Sequence, residues 1–171
     1  MVVMALVTDG LTPPLVWKYF EAISRIPRGS KNEAAVAKYV MTTAKALGLS
    51  ARQDAAGSVI VRKPATPGFE HLSSVCLQGH LDMVCEKTPD TTHDFMKDPI
   101  RLKIVDGFLM AQGTTLGADN GIAVAASLAL MEDRAAEHGP LEFLFTVDEE
   151  TGLTGANQLE PGFVESRILL N

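Results

Sequence analysis

The sequence predicts an α/β fold, a layered α/β/α domain with a largely parallel, mixed central sheet. Short apolar runs typical of buried strands alternate along the chain with helical patterns of ten or more residues. The content of 46% hydrophobic and 21% charged residues is that of an ordinary globular protein. A chain of 171 residues can bury one sizeable core, so we expect one domain.

Two helices are predicted in the first third of the chain. Apolar residues recur at helical spacing over residues 15–23, behind a pair of prolines, and Pro27 is expected to end this helix. Residues 30–33 read Ser-Lys-Asn-Glu, a capping-box pattern in which the Ser and Glu side chains satisfy backbone N–H groups at the start of a helix. We therefore expect a second helix behind them, ended by Gly48.

The remaining elements follow from apolar runs and from turn residues. Strands are predicted at residues 58–62, 74–77, 141–147 and 167–170, the last of them as a further buried strand. A helix over about residues 120–135 separates the second and third of these strands. Polar residues and prolines predict surface loops at residues 64–70 and 86–98.

Composition and charge disfavour two classes of partner. The 15 Lys and Arg against 21 Asp and Glu give a formal net charge of -6, so no basic surface for nucleic acid is expected. No apolar run reaches the roughly 18 residues that a transmembrane helix needs. The first ten residues show no secretion signal, and Cys76 and Cys85 are too few for a disulfide scaffold. We therefore expect a cytoplasmic protein that binds neither nucleic acid nor membrane.

Three short segments concentrate side chains of the kind that bind metals. The first, residues 79–84, follows a predicted strand and contains His80 and Asp82. In an extended chain these two side chains point to the same side, because side chains alternate with a period of two. A carboxylate beside an imidazole can accept its second N–H and make it a better ligand. The alternative is a strand-end histidine with an unrelated, solvated aspartate.

The second segment is the glycine-rich stretch 113–121, in which Asp119 stands where the next predicted helix begins. Glycines there permit close backbone approach. A phosphate-binding loop is not indicated, since the stretch has neither a Gly-Lys-Ser/Thr nor a GxGxxG pattern. Two interpretations of Asp119 stay open: a metal ligand, and a helix N-cap, a position that Asp often occupies.

The third segment is the run Asp148, Glu149 and Glu150, directly behind the predicted strand 141–147. Two like charges about 4 Å apart repel by about 4 kcal/mol at an effective dielectric constant of about 20. A divalent cation would offset that repulsion. The alternative is a solvated acidic turn.

Together the segments predict a metal-assisted hydrolase. Ligand sites in open α/β sheets lie outside the carboxyl ends of the strands, where all three segments can converge. One histidine and several carboxylates form a nitrogen and oxygen set that suits Zn²⁺ or Mn²⁺. Two such ions can share a bridging carboxylate and activate a water between them. A spare glutamate beside the ligands would act as general base.

The same residues resemble the N-terminal signatures of the M20 metallopeptidases, a family with two zinc ions. The matching signatures, in the family's order and spacing, are His80-Leu81-Asp82-Met83, Gly117-Ala118-Asp119-Asn120-Gly121 and Glu149-Glu150. Residues 61–66, 92–100 and 113–117 are similar to one branch, the bacterial aminoacyl-histidine dipeptidases, which act on Xaa-His dipeptides. The resemblance implies a zinc-peptidase-like catalytic domain.

The resemblance also implies a role for each matched residue. His80 would bind the first of two divalent metal ions, Glu150 the second, and Asp119 would bridge both. The expected metal is zinc, with cobalt or manganese also suited. Glu149 would be the general base for attack of water on the peptide carbonyl, and Asp82 would orient His80. The peptide bond that follows Asp119 would be cis.

Two further ligands of the family have no counterpart in this sequence. They are an Asp just past the strand that matches residues 167–170 and a His near the C-terminus, and the family's lid domain also lies downstream. We therefore expect residues 1–171 to be the N-terminal part of the catalytic domain, truncated before the lid domain, with little activity and weak metal binding alone. Because the lid usually carries dimerisation, the resemblance implies a homodimer for the full-length protein.

Two other functions stay open. An M20 amidase or deacylase that acts on acylated amino acids would use the same ligands as a dipeptidase. A non-catalytic binding scaffold would keep the fold, although the intact Glu149 argues against it, because such a protein has no need of a general base. The expected partners are small dipeptide substrates.

Overall fold

The computed structural model describes residues 6–171, and most of its helices and strands lie where the sequence predicts them. The helices are α1 (Pro14–Ser24), α2 (Ala34–Ala46), α3 (Ala118–Glu132) and α4 (Thr154–Asn157). The strands are β1 (Ser50–Gln53), β2 (Val59–Lys63), β3 (Val75–His80), β4 (Leu102–Val105), β5 (Phe108–Ala111), β6 (Leu141–Thr146) and β7 (Ile168–Leu170). Among these described residues, no helix combines the length and the apolar character that crossing a bilayer would require.

Five strands form the central sheet in the order β1-β2-β6-β3-β7. The pairs β1-β2 and β2-β6 are antiparallel, whereas β6-β3 and β3-β7 are parallel. The expected mixed sheet is confirmed, but it is not largely parallel, because only two of its four strand pairs are parallel and both lie in one half. In the antiparallel half, a tight turn joins β1 to β2, and in this turn Asp54 Oδ1 accepts the N–H groups of Gly57 and Ser58, each at 2.8 Å. Strand β1 reads Ser-Ala-Arg-Gln and has no apolar pattern, so the sequence did not predict it.

The two faces of the sheet are covered by different elements. Alternate residues of a strand point to opposite faces. On one face, apolar residues of the central strands join α1, α2 and α3 in the main core; they are Val59, Val61, Phe143 and Phe145. On the other face lies a smaller cluster of Ile60, Cys76, Leu144 and Phe163. Burial of one large apolar side chain contributes about 1.5–3 kcal/mol, so the main core dominates the stability of the fold.

The predicted ends of the first two helices are confirmed. Helix α1 ends at Ser24, before Pro27, and α2 is followed by Gly48, whose φ of 74° is the left-handed conformation that glycine adopts readily. Helix α3 stops at Glu132, short of the predicted residue 135. The chain leaves the helix at Asp133, whose carboxylate accepts the N–H of Ala135 at 2.8 Å.

The capping-box prediction for residues 30–33 is wrong. Helix α2 begins at Ala34, and no side chain caps its first turn. Ser30 Oγ instead donates to Asp82 Oδ2 at 2.8 Å, and Glu33 Oε1 accepts the N–H of Asp148 at 2.9 Å. These distant partners are buried, and a buried polar group costs more to leave unpaired than the solvent-accessible start of a helix.

The last predicted strand is not buried. Among residues 6–171, strand β7 pairs with β3 alone, and its three residues are 45% to 56% exposed. It forms the edge of the sheet, and an edge strand has a neighbour on one side only. The apolar run is therefore a strand, as predicted, and this strand is exposed within the residues that the structure describes.

The hairpin β4–β5 forms a separate two-stranded sheet that the sequence analysis missed. Its strands are joined by Asp106 and Gly107, both with positive φ, at 51° and 82°. A two-residue turn of this kind suits the right-handed twist of a hairpin. The Asp-Gly pair between two β-type runs is the signal that identifies it.

Glu142 connects the start of β6 to the segment that leads into β7. Its carboxylate accepts the N–H groups of Glu165 at 2.9 Å and Ser166 at 2.7 Å, and the Nε–H of Arg62 at 2.9 Å. Glu142 is 3% exposed. Burial raises the pKa of Glu142, but these hydrogen bonds outweigh burial and hold the pKa below its ordinary value of 4.5.

We expect Glu142→Gln to lower the free energy of unfolding by about 1–3 kcal/mol near neutral pH, because hydrogen bonds to a buried charged group are lost. The folded-state pKa of Glu142 lies below the unfolded one, so this stability is present above the unfolded pKa and is lost as the pH falls through the folded-state value. Urea unfolding should therefore show a smaller difference between the two proteins in acid. A pH-independent difference would contradict this, and Glu160→Gln, at an exposed position, is the control.

Candidate metal centre

The carboxyl ends of β3 and β6 bring the three predicted segments to one edge of the sheet. His80, the last residue of β3, lies opposite Thr146, the last residue of the neighbouring parallel strand β6. Glu149 and Glu150 follow the end of β6 after two intervening residues, and Asp119 lies in the first turn of α3. This is the edge at which ligand sites form in such sheets.

His80 stands at the centre of the cluster. Its Nε2 lies 3.2 Å from Asp119 Oδ1 and 3.8 Å from Glu149 Oε2. His80, Asp119 and Glu150 each offer one ligand atom, and these atoms all lie within 4.8 Å of one another. His80 is buried, whereas Asp119 and Glu150 are exposed, so the cluster opens to solvent on one side. One imidazole nitrogen with carboxylate oxygens is a donor set that fits Zn²⁺.

The surroundings of His80 favour a proton on Nδ1. This atom lies 3.1 Å from the carbonyl oxygen of Asp82 and 3.4 Å from Asp82 Oδ1. When Nδ1–H donates there, Nε2 presents a lone pair to the carboxylate of Asp119. Two acceptors 3.2 Å apart repel unless a cation, either a proton or a metal ion, lies between them. Burial lowers the pKa of His80, but the hydrogen bond and charge of Asp82 and the charge of Glu149 outweigh burial and leave the pKa raised.

Asp82 couples His80 to the turn that carries the two glutamates. Its side chain has no solvent exposure, and it accepts the hydroxyl of Ser30 at 2.8 Å. It also accepts the backbone N–H of Glu149 at 3.0 Å and that of Glu150 at 3.1 Å. Burial raises the pKa of Asp82, but hydrogen bonds from His80, these two amides and Ser30 outweigh burial and hold the pKa far below its ordinary value. The group is therefore a carboxylate at neutral pH.

Asp119 does not cap helix α3. The helix is kinked at Asp119 and Asn120, whose φ and ψ are non-helical, and among the described residues the Asp119 carboxylate bonds to the side chains of His80 and Asn120, not to a backbone N–H of the helix. Its side chain is 82% exposed and turns toward His80. The peptide bond between Asp119 and Asn120 is cis, as the resemblance implied. Of the two open interpretations of Asp119, the helix cap is thus excluded by the geometry.

Asp148 is separated from the two glutamates that follow it. It is 7% exposed, and its Oδ1 accepts the hydroxyl of Thr151 at 2.6 Å. With Glu33 and Asp82 it forms a second group of carboxylates whose oxygens lie within 4.8 Å of one another. The solvated-turn interpretation therefore fails for Asp148, which anchors the turn from the inside through the bond between its N–H and Glu33.

Sequence reasoning missed three residues that hold this site. Arg28, Ser30 and Glu33 all lie in the connection between α1 and α2, and each bonds to a segment that carries a predicted ligand. The polar residues that follow Pro27 were the available signal for these contacts. Their capping-box spacing indicated the start of a helix instead. Cys85 lies close to His80 in the sequence, but among the described residues it belongs to neither group of metal-type side chains.

A cavity of about 330 Å³ opens beside His80, Asp119 and Glu149. Polar and apolar side chains share its wall: Gln78, Asn120, Leu144, Thr146, Leu153, Ala156, Leu159, Leu169 and Asn171. A larger cavity of about 600 Å³, lined in part by Arg62 and Glu142, contains none of the predicted ligands. The smaller cavity is therefore the one that places a bound molecule next to the metal-type side chains.

Several known peptidases are similar to this chain in sequence or in fold. The sequence pattern described as Peptidase family M20/M25/M40 matches residues 76–168, which is more than half of the chain. The cytosol non-specific dipeptidase of Escherichia coli (strain K12) is 45% identical over 161 residues, which cover 94% of this chain and 33% of the relative. The crystal structure of aminoacylhistidine dipeptidase from Vibrio alginolyticus matches with a TM-score of 0.94 and 46% identity, over 98% of this chain and 34% of that one.

A more distant match shows the fold alone. A tripeptidase from Staphylococcus aureus is 23% identical, with a TM-score of 0.75 over 91% of this chain and 42% of that chain. This chain spans about a third of the length of the two dipeptidases that it resembles. The family pattern runs from β3 into β7, and the fold around His80, Asp119 and Glu150 is like that of a dipeptidase. The chain therefore belongs to the peptidase family M20/M25/M40.

Proposed function

We propose that a protein of the relatives' length that contains this chain is a metal-dependent dipeptidase, of the Xaa-His type, in the cytoplasm. The observation that carries the proposal is the convergence of His80, Asp119 and Glu150 within 4.8 Å, with Glu149 beside them. The names of the two dipeptidase relatives, which are non-specific and aminoacylhistidine dipeptidases, support the substrate class. The word cytosol in one of those names supports the location.

In this proposal one buried histidine and two exposed carboxylates supply the metal ligands. His80 Nε2 would hold the first divalent ion and Glu150 the second, and Asp119, which is open to solvent on the same side, would be a ligand shared by both. Zinc suits the donor set best, and cobalt or manganese would also be accepted. When bound, the two ions would polarise the peptide carbonyl and lower the pKa of the attacking water.

Glu149 is proposed as the general base. Its Oε2 lies 3.8 Å from His80 Nε2, and its side chain is 31% exposed, so both water and substrate can reach it. Oε2 takes a proton from the water as the water attacks the carbonyl carbon, and the same carboxyl group then donates that proton to the leaving amine nitrogen. A positioned carboxylate of this kind contributes about 10²–10⁴-fold to the rate.

Asp82 is proposed to orient the machinery without touching the substrate. Its carbonyl oxygen, which faces Nδ1 of His80, sets the tautomer of the imidazole. Its carboxylate accepts the amides of Glu149 and Glu150 and so fixes the position of their turn. A carboxylate behind a histidine ligand also raises the basicity of that ligand.

The rest of such a protein completes the site. We propose that residues 1–171 form the N-terminal part of the metal-binding catalytic domain, and that a lid domain and two further ligands belong to the remaining sequence. The lid would make the full-length protein a homodimer. Residues 1–171 alone are then expected to bind metal weakly and to turn over little or no substrate, because each ion lacks one protein ligand.

A hydrolysis panel on the full-length protein tests this function. Xaa-His dipeptides, other dipeptides, a tripeptide and N-acetyl amino acids are each assayed before and after chelation, and again after Zn²⁺, Co²⁺ or Mn²⁺ is restored. We expect cleavage of dipeptides, fastest with a C-terminal histidine, to disappear on chelation and to return with metal. Residues 1–171 assayed alone should show no more than a trace of this activity.

The other outcomes assign other functions. Cleavage of the acylated amino acids in place of dipeptides would keep the mechanism and make the protein an amidase. Bound metal without turnover of any amide would overturn the enzyme and leave a binding scaffold. Dipeptide cleavage that survives chelation would overturn the metal mechanism.

A further inference from the structure

The side chain of Arg28 lies buried between two of the segments that carry the proposed ligands. It is 2% exposed and belongs to the connection between α1 and α2. Its Nη1 donates to the carbonyl oxygens of Leu81 at 3.0 Å and Asp82 at 3.2 Å. Its Nη2 donates to the carbonyl oxygen of Gly117. One guanidinium thus joins the end of β3 to the start of α3.

The carbonyl oxygen of Asp82 is the point at which Arg28 acts on His80. That oxygen accepts from Arg28 Nη1 and also, at 3.1 Å, from Nδ1 of His80. A carbonyl oxygen has two lone pairs, so it can accept both bonds at once. The guanidinium therefore holds in place the acceptor that orients the imidazole. Its other bond, to Gly117, holds the turn in which Asp119 stands.

The space around the guanidinium is bounded by two glycines. A Cβ added at Gly117 would lie 2.5 Å from Arg28 Nη2 and 2.6 Å from Met83 Sδ. A Cβ added at Gly121 would lie 2.6 Å from the same Nη2 and 3.3 Å from a ring carbon of Phe20. Any larger residue at either position would have to displace the guanidinium. The glycine-rich stretch and Arg28 are therefore complementary parts of one arrangement.

The chemistry of the group fits this position. Burial lowers the pKa of Arg28 to about 10, and the charge of Asp82 opposes that decrease, so the side chain stays a cation at neutral pH. A guanidinium presents its N–H groups in a rigid planar fork, whereas a lysine ammonium is a single point on a flexible stem. Lysine would keep the charge but would not hold the carbonyls of both segments in one geometry.

We propose that Arg28 is a positioning residue that fixes His80 and Asp119 relative to each other. The effect of Arg28 on catalysis rests on the proposed function. Its effect on the geometry rests only on the hydrogen bonds described above. Partners behind a metal ligand typically change metal affinity or activity by about 10–100-fold when they are removed.

Arg28→Lys in the full-length protein tests the proposal, with Arg25→Lys as the matched control. Arg25 lies three residues earlier, its side chain is 53% exposed, and it pairs with Glu21. We expect Arg28→Lys to weaken zinc binding or to lower kcat by about tenfold or more, with KM changed much less. In the metal-free protein, amide hydrogen exchange over residues 115–121 should accelerate. Arg25→Lys should match the parent protein in all three measurements.

Gly121→Ala provides a second route that retains the arginine. Its methyl group displaces the guanidinium, so we expect the same changes as in Arg28→Lys, in weaker form. If both substitutions act through one contact, the double variant should show less than the sum of the two effects on kcat or on zinc affinity. Strictly additive effects would contradict that shared contact.

The outcomes separate a failure of the inference from a failure of the proposed function. If Arg28→Lys lowers only the melting temperature, while zinc affinity, kcat and exchange per folded molecule stay unchanged, Arg28 is purely structural and the inference is overturned. If the parent protein hydrolyses no dipeptide, the proposed function fails, and hydrogen exchange in the metal-free protein still decides whether Arg28 holds the turn. Should Arg28→Lys not fold, Gly121→Ala with unchanged exchange and zinc affinity would overturn the inference on its own.

Discussion

Replacing Glu149 with glutamine is expected to lower kcat for dipeptide hydrolysis by about 10²–10⁴-fold, the usual contribution of a general base. The amide oxygen of glutamine is a poor proton acceptor, so the proton of the attacking water has no destination. The contact of Glu149 with Asp82 is made by its backbone N–H, which the substitution leaves in place. The turn and the metal ligands should therefore stay intact.

Two measurements on the full-length protein check this expectation. Steady-state kinetics on an Xaa-His dipeptide gives kcat and KM, and calorimetric titration with zinc gives the metal affinity of the same sample. We expect the loss in kcat alone, with KM and zinc affinity close to those of the parent. Glu165→Gln, in which a carboxylate with 72% side-chain exposure is removed far from the cluster, is the control. A variant that keeps more than about a tenth of the parent kcat would show that another group takes the proton.

Asp82→Asn is expected to impair both metal binding and stability. Asp82 accepts Ser30 Oγ–H and the amides of Glu149 and Glu150, and an asparagine has one acceptor oxygen where the aspartate has two. Its NH₂ group would face a buried donor. Each buried donor left without an acceptor costs about 1–3 kcal/mol of stability. Zinc affinity or kcat should fall by about 10–100-fold, because His80 loses its charged partner.

The pH dependence of stability distinguishes this effect from a general loss of packing. The folded-state pKa of Asp82 is depressed, so its stabilisation is present above the unfolded value of 3.8 and decreases as the pH falls below it. The stability difference between parent and variant should therefore shrink on acidification. Asp106→Asn, at the exposed hairpin turn, makes the same chemical change where a positive φ is accepted by asparagine, and it should leave stability and activity unchanged. A loss for Asp82→Asn that is no larger than for this control would contradict the role of Asp82.

Where local pattern and buried partners compete, the buried partners determine the structure. Residues 30–33 have the spacing of a capping box, yet Ser30 and Glu33 bond to Asp82 and Asp148, far along the chain. Capping-box donors lie at the surface, where water can replace a lost bond. The carboxylate of Asp82 and the amide of Asp148 lie where water cannot replace it. A pattern of neighbouring residues in the sequence does not show that Asp82 and Asp148 are buried in the folded chain.

Periodicity and turn residues determined much of the architecture. The apolar runs predicted β2, β3, β6 and β7, the helical spacing predicted α1 and α2, and the three segments with His80, Asp119 and Glu150 were recognisable before any fold was known. The hairpin at Asp106-Gly107 was also encoded locally, in the Asp-Gly turn signal, although no hairpin was predicted there. These features are local because each depends on residues a few positions apart.

Only the tertiary structure decided how the site is held. The pairing of β3 with β6 places His80 near Glu149, and Arg28 joins two segments that are 35 or more positions apart in the sequence. The hydrogen bonds of a buried guanidinium and a buried carboxylate depend on which backbone groups face them after the chain has folded, and that arrangement depends on the packing of the whole core. The sequence by itself therefore determined the chemistry available to the site, whereas long-range packing decided its geometry.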